Sequence, residues 1–276
     1  MANDLTSTAE YVLGHSDREL ERLSTQARLI EPITREFFID AGIVPGMRIL
    51  DVGSGSGDVA LLAADLVGDH GSVVGVDRAP AAIVAARRRA EARSLSNVSF
   101  REGEPAEITF EEPFDAVVGR YVLLFQADAA HLLRRLARRL QPGGVIVFHE
   151  PDWSMVRSFP VAPTYDHCCR WIIAAGTLGG SNWNMADKLH GLFLAAGLRA
   201  PTMRMKTFIG GGTEVGEWLR GVAELADTLL PAMEKFGVAT AAEVDLATLT
   251  ERMAREVAQT NSVIVGRSEI GAWSRL

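Results

Sequence analysis

Cysteine is nearly absent from this sequence: two residues in 276, Cys168 and Cys169, stand side by side. That number cannot build a disulfide framework, and adjacency is the wrong spacing for a CxxC redox or zinc motif, so both are expected as reduced thiols in a packed helix. Long apolar runs are also missing. Even Val59 to Val67 is interrupted by Asp65, well short of the roughly 20 residues that span a bilayer. Net basic charge is lacking too, with 28 Lys and Arg against 35 Asp and Glu, which disfavours a nucleic-acid partner because such proteins displace counterions with a basic surface. The opening Met1-Ala2-Asn3-Asp4 lacks a basic region followed by an apolar one, so a cytoplasmic address is expected. There is no internal repeat and no low-complexity tract.

What is present is an ordinary globular composition, 47% hydrophobic and 23% charged, which suits a folded chain of one or two domains. The first forty-odd residues read as helical, with Leu20, Leu23, Ala27 and Ile30 at three-to-four spacing, and residues 1–43 are expected to form a helical lid. Apolar strands and helical patterns then alternate. Met47 to Val52, Gly71 to Val76, Val98 to Arg101, Phe114 to Val118 and Gly144 to His149 read as strands. Helices are expected over Val59 to Leu66, Ala81 to Arg93 and Ala129 to Leu140. This order implies an α/β core over 44–150 with a parallel, doubly wound sheet. The basic runs Arg87-Arg88-Arg89 and Arg134-Arg135, Arg138-Arg139 fall in those helices and read as solvated outer faces.

From Pro151 to Asn184 the alternation stops and five aromatic residues gather, Trp153, Phe159, Tyr165, Trp171 and Trp183, which predicts an inserted cap over 151–184. The remainder, 185–276, reads as a helix over Met185 to Ala196, a strand near Met203 to Ile209, a second helical insertion at about 213–260 and a closing strand over Ile270 to Arg275.

The most specific local signal is Leu50-Asp51-Val52 leading into Gly53-Ser54-Gly55-Ser56-Gly57-Asp58 and a helix. A glycine turn at a helix N-terminus lets backbone approach a nucleotide-like ligand. The dinucleotide fingerprint G-x-G-x-x-G needs its third glycine at position 58, where Asp58 stands, so NAD is excluded by its own motif. Asp77 ends the second strand, where a carboxylate can accept hydrogen bonds from both hydroxyls of a ribose.

Taken together, Ile49 to Gly57, Val76-Asp77, Phe114-Asp115-Ala116-Val117-Val118 and Leu140-Gln141-Pro142-Gly143-Gly144 form an ordered series. It resembles that of the class I S-adenosylmethionine-dependent methyltransferases, strongly over 44–150 and more loosely beyond, where small-molecule enzymes of that family carry helical caps. The resemblance implies a Rossmann-like, seven-stranded sheet, mostly parallel with its last strand antiparallel, and S-adenosyl-L-methionine as cofactor. It places Asp51, Gly53, Gly55 and Gly57 beside the amino-acid part of that cofactor and Asp77, with Arg78 next to it, at the ribose. It puts Glu104 and Pro105 near the adenine, although the family's usual Gly-Asp-Ala is here Gly103-Glu104-Pro105-Ala106. Arg120 would border the methionine portion, or else pair with a carboxylate at the core edge.

Methyl transfer from a sulfonium is an in-line displacement that alignment can largely accelerate. An acceptor that must lose a proton also needs a base. His149, Glu150 and Asp152 follow the fifth strand at its carboxyl end, where open α/β sheets place their ligands. His149 is favoured because neutral imidazole accepts a proton near neutral pH. Tyr165, Arg170, Trp171, Asn182, Trp183 and Asn184 are the expected lining of an apolar acceptor pocket. No metal is expected: His167 beside Cys168-Cys169 has no second ligand pair at suitable spacing. The expected activity is methyl transfer to a small, partly apolar organic acceptor, with no nucleic acid and no membrane as partner. Alternatives are a non-methylating reaction in the same fold, or a macromolecule methyltransferase or partner subunit. Monomer and homodimer are not distinguished.

Overall fold

The computed structural model describes residues 30–276, so the helical pattern at Leu20, Leu23 and Ala27 lies outside the described residues. Residues 30–40 are helical (α1). Strand β1 (Arg48–Val52) leads through the glycine turn into α2 (Asp58–Val67), and β2 (Ser72–Asp77), α3 (Pro80–Ala92), β3 (Val98–Glu102), β4 (Phe114–Arg120), α4 (Ala129–Ala137) and β5 (Leu140–Asp152) continue the alternation. Pro80 opens α3 at a position where its missing N–H costs no helix bond. The strands β3, β2, β1, β4 and β5 pair in that order and all run parallel.

The rest of the chain closes the sheet and adds a lobe. A short β6 (Arg157–Phe159) and α5 (Pro163–Leu178) precede α6 (Ala186–Ala195) and β7 (Thr202–Gly211). Then α7 (Gly216–Lys235), α8 (Ala241–Val244) and α9 (Leu246–Thr260) lead to β8 (Val263–Arg275). β8 runs antiparallel to β5, β6 and β7. The sheet therefore has eight strands, one more than expected, because three residues of the cap join β8 as β6. β5 starts at Leu140 rather than Gly144. An irregularity against β4 between Phe114 and Ala116 absorbs the glycines, with Gly143 at φ +81°, the left-handed region open to glycine.

Alternate residues of the same strands face opposite layers, as the period of two demands. Leu50, Val117, Ile146 and Phe148 belong to one core, and Ile49, Ala116, Val145 and Val147 to the other. A third core joins the two insertions: Trp153, Tyr165, Cys168 and Cys169 pack with Leu219, Leu229, Leu249 and Met253. Both thiols are free and buried, and burial pushes Cys168 up to about 12, so they behave as small apolar side chains. No helix among the described residues is long and apolar enough to cross a membrane.

Candidate active site

One cleft of about 640 Å³ runs along the carboxyl ends of the parallel strands, the edge where open α/β sheets bind ligands. Its first half is the glycine turn, the end of β2 and the start of α3. Gly53 and Gly55 line it in left-handed backbone conformations, φ +65° and +51°. A Cβ at Gly53 would press on Val122, whereas one at Gly55 would meet nothing within 4 Å and would project into open space. Gly57, at φ +90°, is outside the lining; its Cβ would strike the Phe100 ring at 2.9 Å. It lets α2 start against β3, so Gly57, expected beside the ligand, has a packing contact and does not line the cleft.

Asp77 lines the cleft and also braces the turn. Its Oδ2 accepts from Gly55 N–H at 2.8 Å and its Oδ1 from Ala79 N–H at 2.9 Å, and each oxygen keeps a lone pair for a further donor. Arg78, Glu104 and Pro105 line the same end, with Arg78 and Glu104 3.8 Å apart as a loose ion pair. Asp51 lies behind the wall, fully buried, with both carboxylate oxygens unpartnered among the described residues. Burial pushes its carboxyl well above the usual range, opposed by the nearby Arg120. Arg120 lines the cleft and donates to Thr34 Oγ1 of α1 at 3.2 Å; among the described residues it pairs with no carboxylate.

Two basic runs do more than face solvent. Arg89 donates to the Ser56 carbonyl at 2.8 Å and pairs with Asp58 at 2.7 Å, clamping the glycine turn. Arg135 and Arg139 both donate to the carbonyl of Ala106 and anchor the Glu104–Pro105 loop.

The second half of the cleft is bounded by Tyr121, Phe125, Trp153, Trp183, Leu225 and Arg267. Of the expected acceptor residues only Trp183 is there. Tyr165 is buried in the cap core, its hydroxyl donating to the Val265 carbonyl and accepting from Trp218 Nε1. Trp171 stacks on His167 one turn away. Asn182 accepts from the Asn184 backbone through its side chain and donates its own N–H to the Leu124 carbonyl. None of these, nor Arg170 or Asn184, lines the cleft. They were expected there because they cluster in sequence, but α5 turns its face to α7 and α9.

His149, Glu150 and Asp152 also lie outside the lining and are fully buried. Glu150 accepts from the backbone N–H groups of Val122 and Leu123 at 3.0 and 2.8 Å and of Leu124 at 3.3 Å. It therefore satisfies the turn that follows β4, and burial, against those bonds, raises its pKa to about 8. Asp152 accepts from Ser154 N–H and Ala186 N–H. His149 sits between Thr34 Oγ1 at 3.0 Å and Glu269 Oε2 at 2.9 Å, and burial lowers its pKa, so it is neutral. Both imidazole nitrogens are occupied; as placed, it positions α1 and β8 and has no free lone pair for an acceptor's proton.

Sequence reasoning missed Arg267, and at Tyr121, which the family resemblance sets beside Arg120 at the end of the fourth strand, it missed the role of the side chain. Tyr121 has φ +57°, a conformation that is uncommon for a bulky non-glycine residue. Its hydroxyl donates to Glu269 Oε2 at 2.6 Å and accepts from Arg267 Nη2 at 2.9 Å. Burial works to raise Glu269, but Arg267, His149 and Tyr121 hold it at about 2. No sequence signal links positions 121, 149, 267 and 269, because β8 brings the last two alongside β5 only in three dimensions. Among the described residues no group of three or more His, Cys, Asp or Glu could hold a metal ion.

This is a Rossmann-like fold whose site combines an open glycine turn, a strand-end carboxylate and an aromatic far wall. A family model described as "Methyltransferase domain" matches residues 43–188. The chain belongs to that family, the class I S-adenosylmethionine-dependent methyltransferases, whose cofactor is S-adenosyl-L-methionine. It is 39% identical over 121 residues to aklanonic acid methyltransferase DauC of Streptomyces sp. (strain C5), covering 44% of this chain and 54% of that protein. It is 34% identical over 136 residues to a 2-phytyl-1,4-naphtoquinone methyltransferase of Synechococcus elongatus, covering 48% and 57%. The chain thus spans about half the length of these curated relatives. The crystal structure of the cyclase SpnF superposes with TM-score 0.53 at 20% identity, over 88% of this chain and 80% of that one, a likeness of fold alone.

The residues present fit the family's cofactor. The cradle at Gly55 is open where a side chain would fill it, Asp77 retains acceptor capacity, and the unpartnered Asp51 carboxyl lies near the end of β1 with Arg120 nearby.

Proposed function

We propose that this protein transfers the methyl group of S-adenosyl-L-methionine to a small, partly apolar organic acceptor. The observation that carries this reading is the continuity of the cleft, which joins the glycine turn and Asp77 to Trp153 and Trp183 without a wall between. Bound there, the cofactor supplies an electrophilic methyl group on a sulfonium. Gly53 and Gly55 admit it to the backbone, Asp77 accepts from its ribose, and Glu104 and Pro105 flank its base. At the other end Phe125, Trp153, Trp183 and Leu225 exclude water and fix the plane of an apolar acceptor. Two of the similar proteins bear the names of methyltransferases for an acid and a naphthoquinone, which supports a flat, oxygen-bearing acceptor.

No imidazole or carboxylate among the described residues lines that acceptor end, so alignment rather than a protein base is the source of rate. The test is conversion of S-adenosylmethionine to S-adenosylhomocysteine by the purified chain with a panel of flat aromatic acids, phenols and quinols. Production of S-adenosylhomocysteine with at least one is expected. One rival is a non-methylating reaction in the same fold, since a fold does not fix its chemistry; acceptor conversion without S-adenosylhomocysteine would establish it.

A further inference from the structure

We infer that the acceptor end of the cleft is built for a flat organic anion whose negative oxygen is held by Arg267, an inference that rests on the methyl-transfer reading above. Arg267 stands on β8 next to Ser268, which pairs with Asp152 at the end of β5, so it closes the side of the cleft farthest from Asp77. Its Nε donates to Glu269 Oε1 at 2.8 Å and its Nη2 to the Tyr121 hydroxyl at 2.9 Å. Its Nη1 makes no hydrogen bond to a described residue, and the side chain lines the cleft. A guanidinium fixed on one edge presents its remaining donors in a rigid, preorganised plane, the geometry that suits an anionic oxygen.

Electrostatics point the same way. Burial alone would favour loss of Arg267's proton, but Glu269 and Tyr121 reverse that and keep it charged. Glu269 is outside the cleft lining while Arg267 is in it, so the positive member of the pair faces the acceptor. The rings of Tyr121, Trp153 and Trp218 surround the guanidinium with centroids at 5.4, 5.9 and 5.9 Å. This aromatic cage is occupied by the protein's own cation and cannot take a ligand ammonium. Finally, His149, Glu150 and Asp152 are engaged behind the wall, which leaves a protonated amine with no described imidazole or carboxylate at the acceptor end to receive its proton. An anion needs none. As its lone pair forms the bond to the methyl carbon, the carbon–sulfur pair returns to sulfur, cancelling the sulfonium charge and the acceptor's negative charge together.

The experiment is calorimetric titration of the S-adenosylhomocysteine-saturated protein with two ring-matched probes, 2-naphthoate and 2-naphthylmethylammonium. The expected result is 2-naphthoate binding at least about tenfold tighter, the scale of one charge-assisted hydrogen bond. Arg267→Gln should abolish the preference with S-adenosylhomocysteine affinity unchanged, and Arg267→Lys should keep part of it. Because Arg267→Gln leaves Glu269 buried without its partner, the double variant Arg267→Gln/Glu269→Gln serves if the single one does not fold. Equal binding of the two probes, absence of 2-naphthoate binding, or a preference that survives in the double variant would overturn the inference. Failure of S-adenosylhomocysteine itself to bind would strike instead at the methyl-transfer reading, since it is measured separately.

Discussion

The two halves of the cleft are made in different ways. The half of the cleft proposed for the cofactor draws on a stretch from Val52 to Arg120, and its main elements are a glycine turn after β1, a carboxylate at the end of β2 and a loop after β3. Each lies where a strand ends, so the order of strands alone delivers them to one edge. The acceptor half gathers Tyr121, Trp153, Trp183, Leu225 and Arg267, side chains from five separate segments that meet only because the two insertions pack into a single core. A site written in turn chemistry tolerates little change at a few positions. A site written in packing distributes its demands, so single substitutions should tune it.

The sharpest way to test that contrast is Gly55→Val. The left-handed φ of +51° and the open space at its Cβ mean that valine both strains the turn and projects into the cofactor half. Binding of S-adenosylmethionine and S-adenosylhomocysteine should disappear by calorimetry while the circular dichroism of the fold persists. Retained affinity would show that the turn does not contact the ligand. Asp77→Ala comes next, with an expected loss of about 1.5 to 3 kcal/mol in cofactor binding, the scale of hydrogen bonds to a charged group. The same variant frees the Gly55 and Ala79 amides, so its melting temperature should fall too. An unchanged dissociation constant in the folded variant would remove Asp77 from the ribose.

In the acceptor half the effects should be smaller and selective. Trp183→Phe keeps an aromatic face beside α5, where the indole packs against Gly176. It should change acceptor affinity severalfold and leave cofactor affinity alone. Trp171→Ala, outside the lining, should change neither, although both tryptophans belong to the same aromatic-rich stretch. If Trp171→Ala matched Trp183→Phe in acceptor affinity, the cleft as described would be wrong about which face of the cap meets the ligand.

That pair of tryptophans also shows what was legible in the sequence. The alternation of strands and helices follows from periodicities of two and about four, and from motifs each confined to a dozen residues; the antiparallel direction of the closing strand was implied by the family resemblance. Of the residues expected at the cofactor, Gly53, Gly55, Asp77, Arg78, Glu104, Pro105 and Arg120 line the cleft. Gly57 and Asp51 share the motif, but lie behind it for packing and charge reasons that a pattern of letters does not carry. The cap was harder, because aromatic enrichment signals burial without saying whether rings face a ligand or one another. Tyr165 and Trp171 face the cap's own core or its flank. Likewise, the strand-end position of His149, Glu150 and Asp152 is visible in sequence, but their partners, Thr34, Glu269, the 122–124 amides and Ala186, are between 26 and 120 residues away or on other elements.

Glu150 provides the most discriminating prediction. Its carboxyl is buried beneath three backbone donors, yet desolvation dominates and holds its pKa near 8 in the folded state, against about 4.3 in an unfolded chain. A carboxyl raised on folding contributes fully below its unfolded pKa. As pH rises from about 4.3 toward 8 the unfolded state loses the proton first, and the native state is progressively penalised. Glu150→Gln cannot ionise. Its amide oxygen can still accept from the Val122 and Leu123 amides, while its NH2 opposes the weaker donor at Leu124. The variant should therefore melt at or slightly below the native protein at pH 5 and gain relative to it by pH 8. The readout is the difference between the two melting temperatures as a function of pH, which cancels every other titrating group common to both chains. Were Glu150 instead an ionised group in the working site, the sign would reverse: the native protein would gain on the variant as pH rose, and catalytic rate would fall with the substitution. A difference that becomes more positive with pH, with the cofactor affinity unmoved, places Glu150 in the structure of the turn that carries Val122 and Leu124 into the cleft, and takes it out of the chemistry.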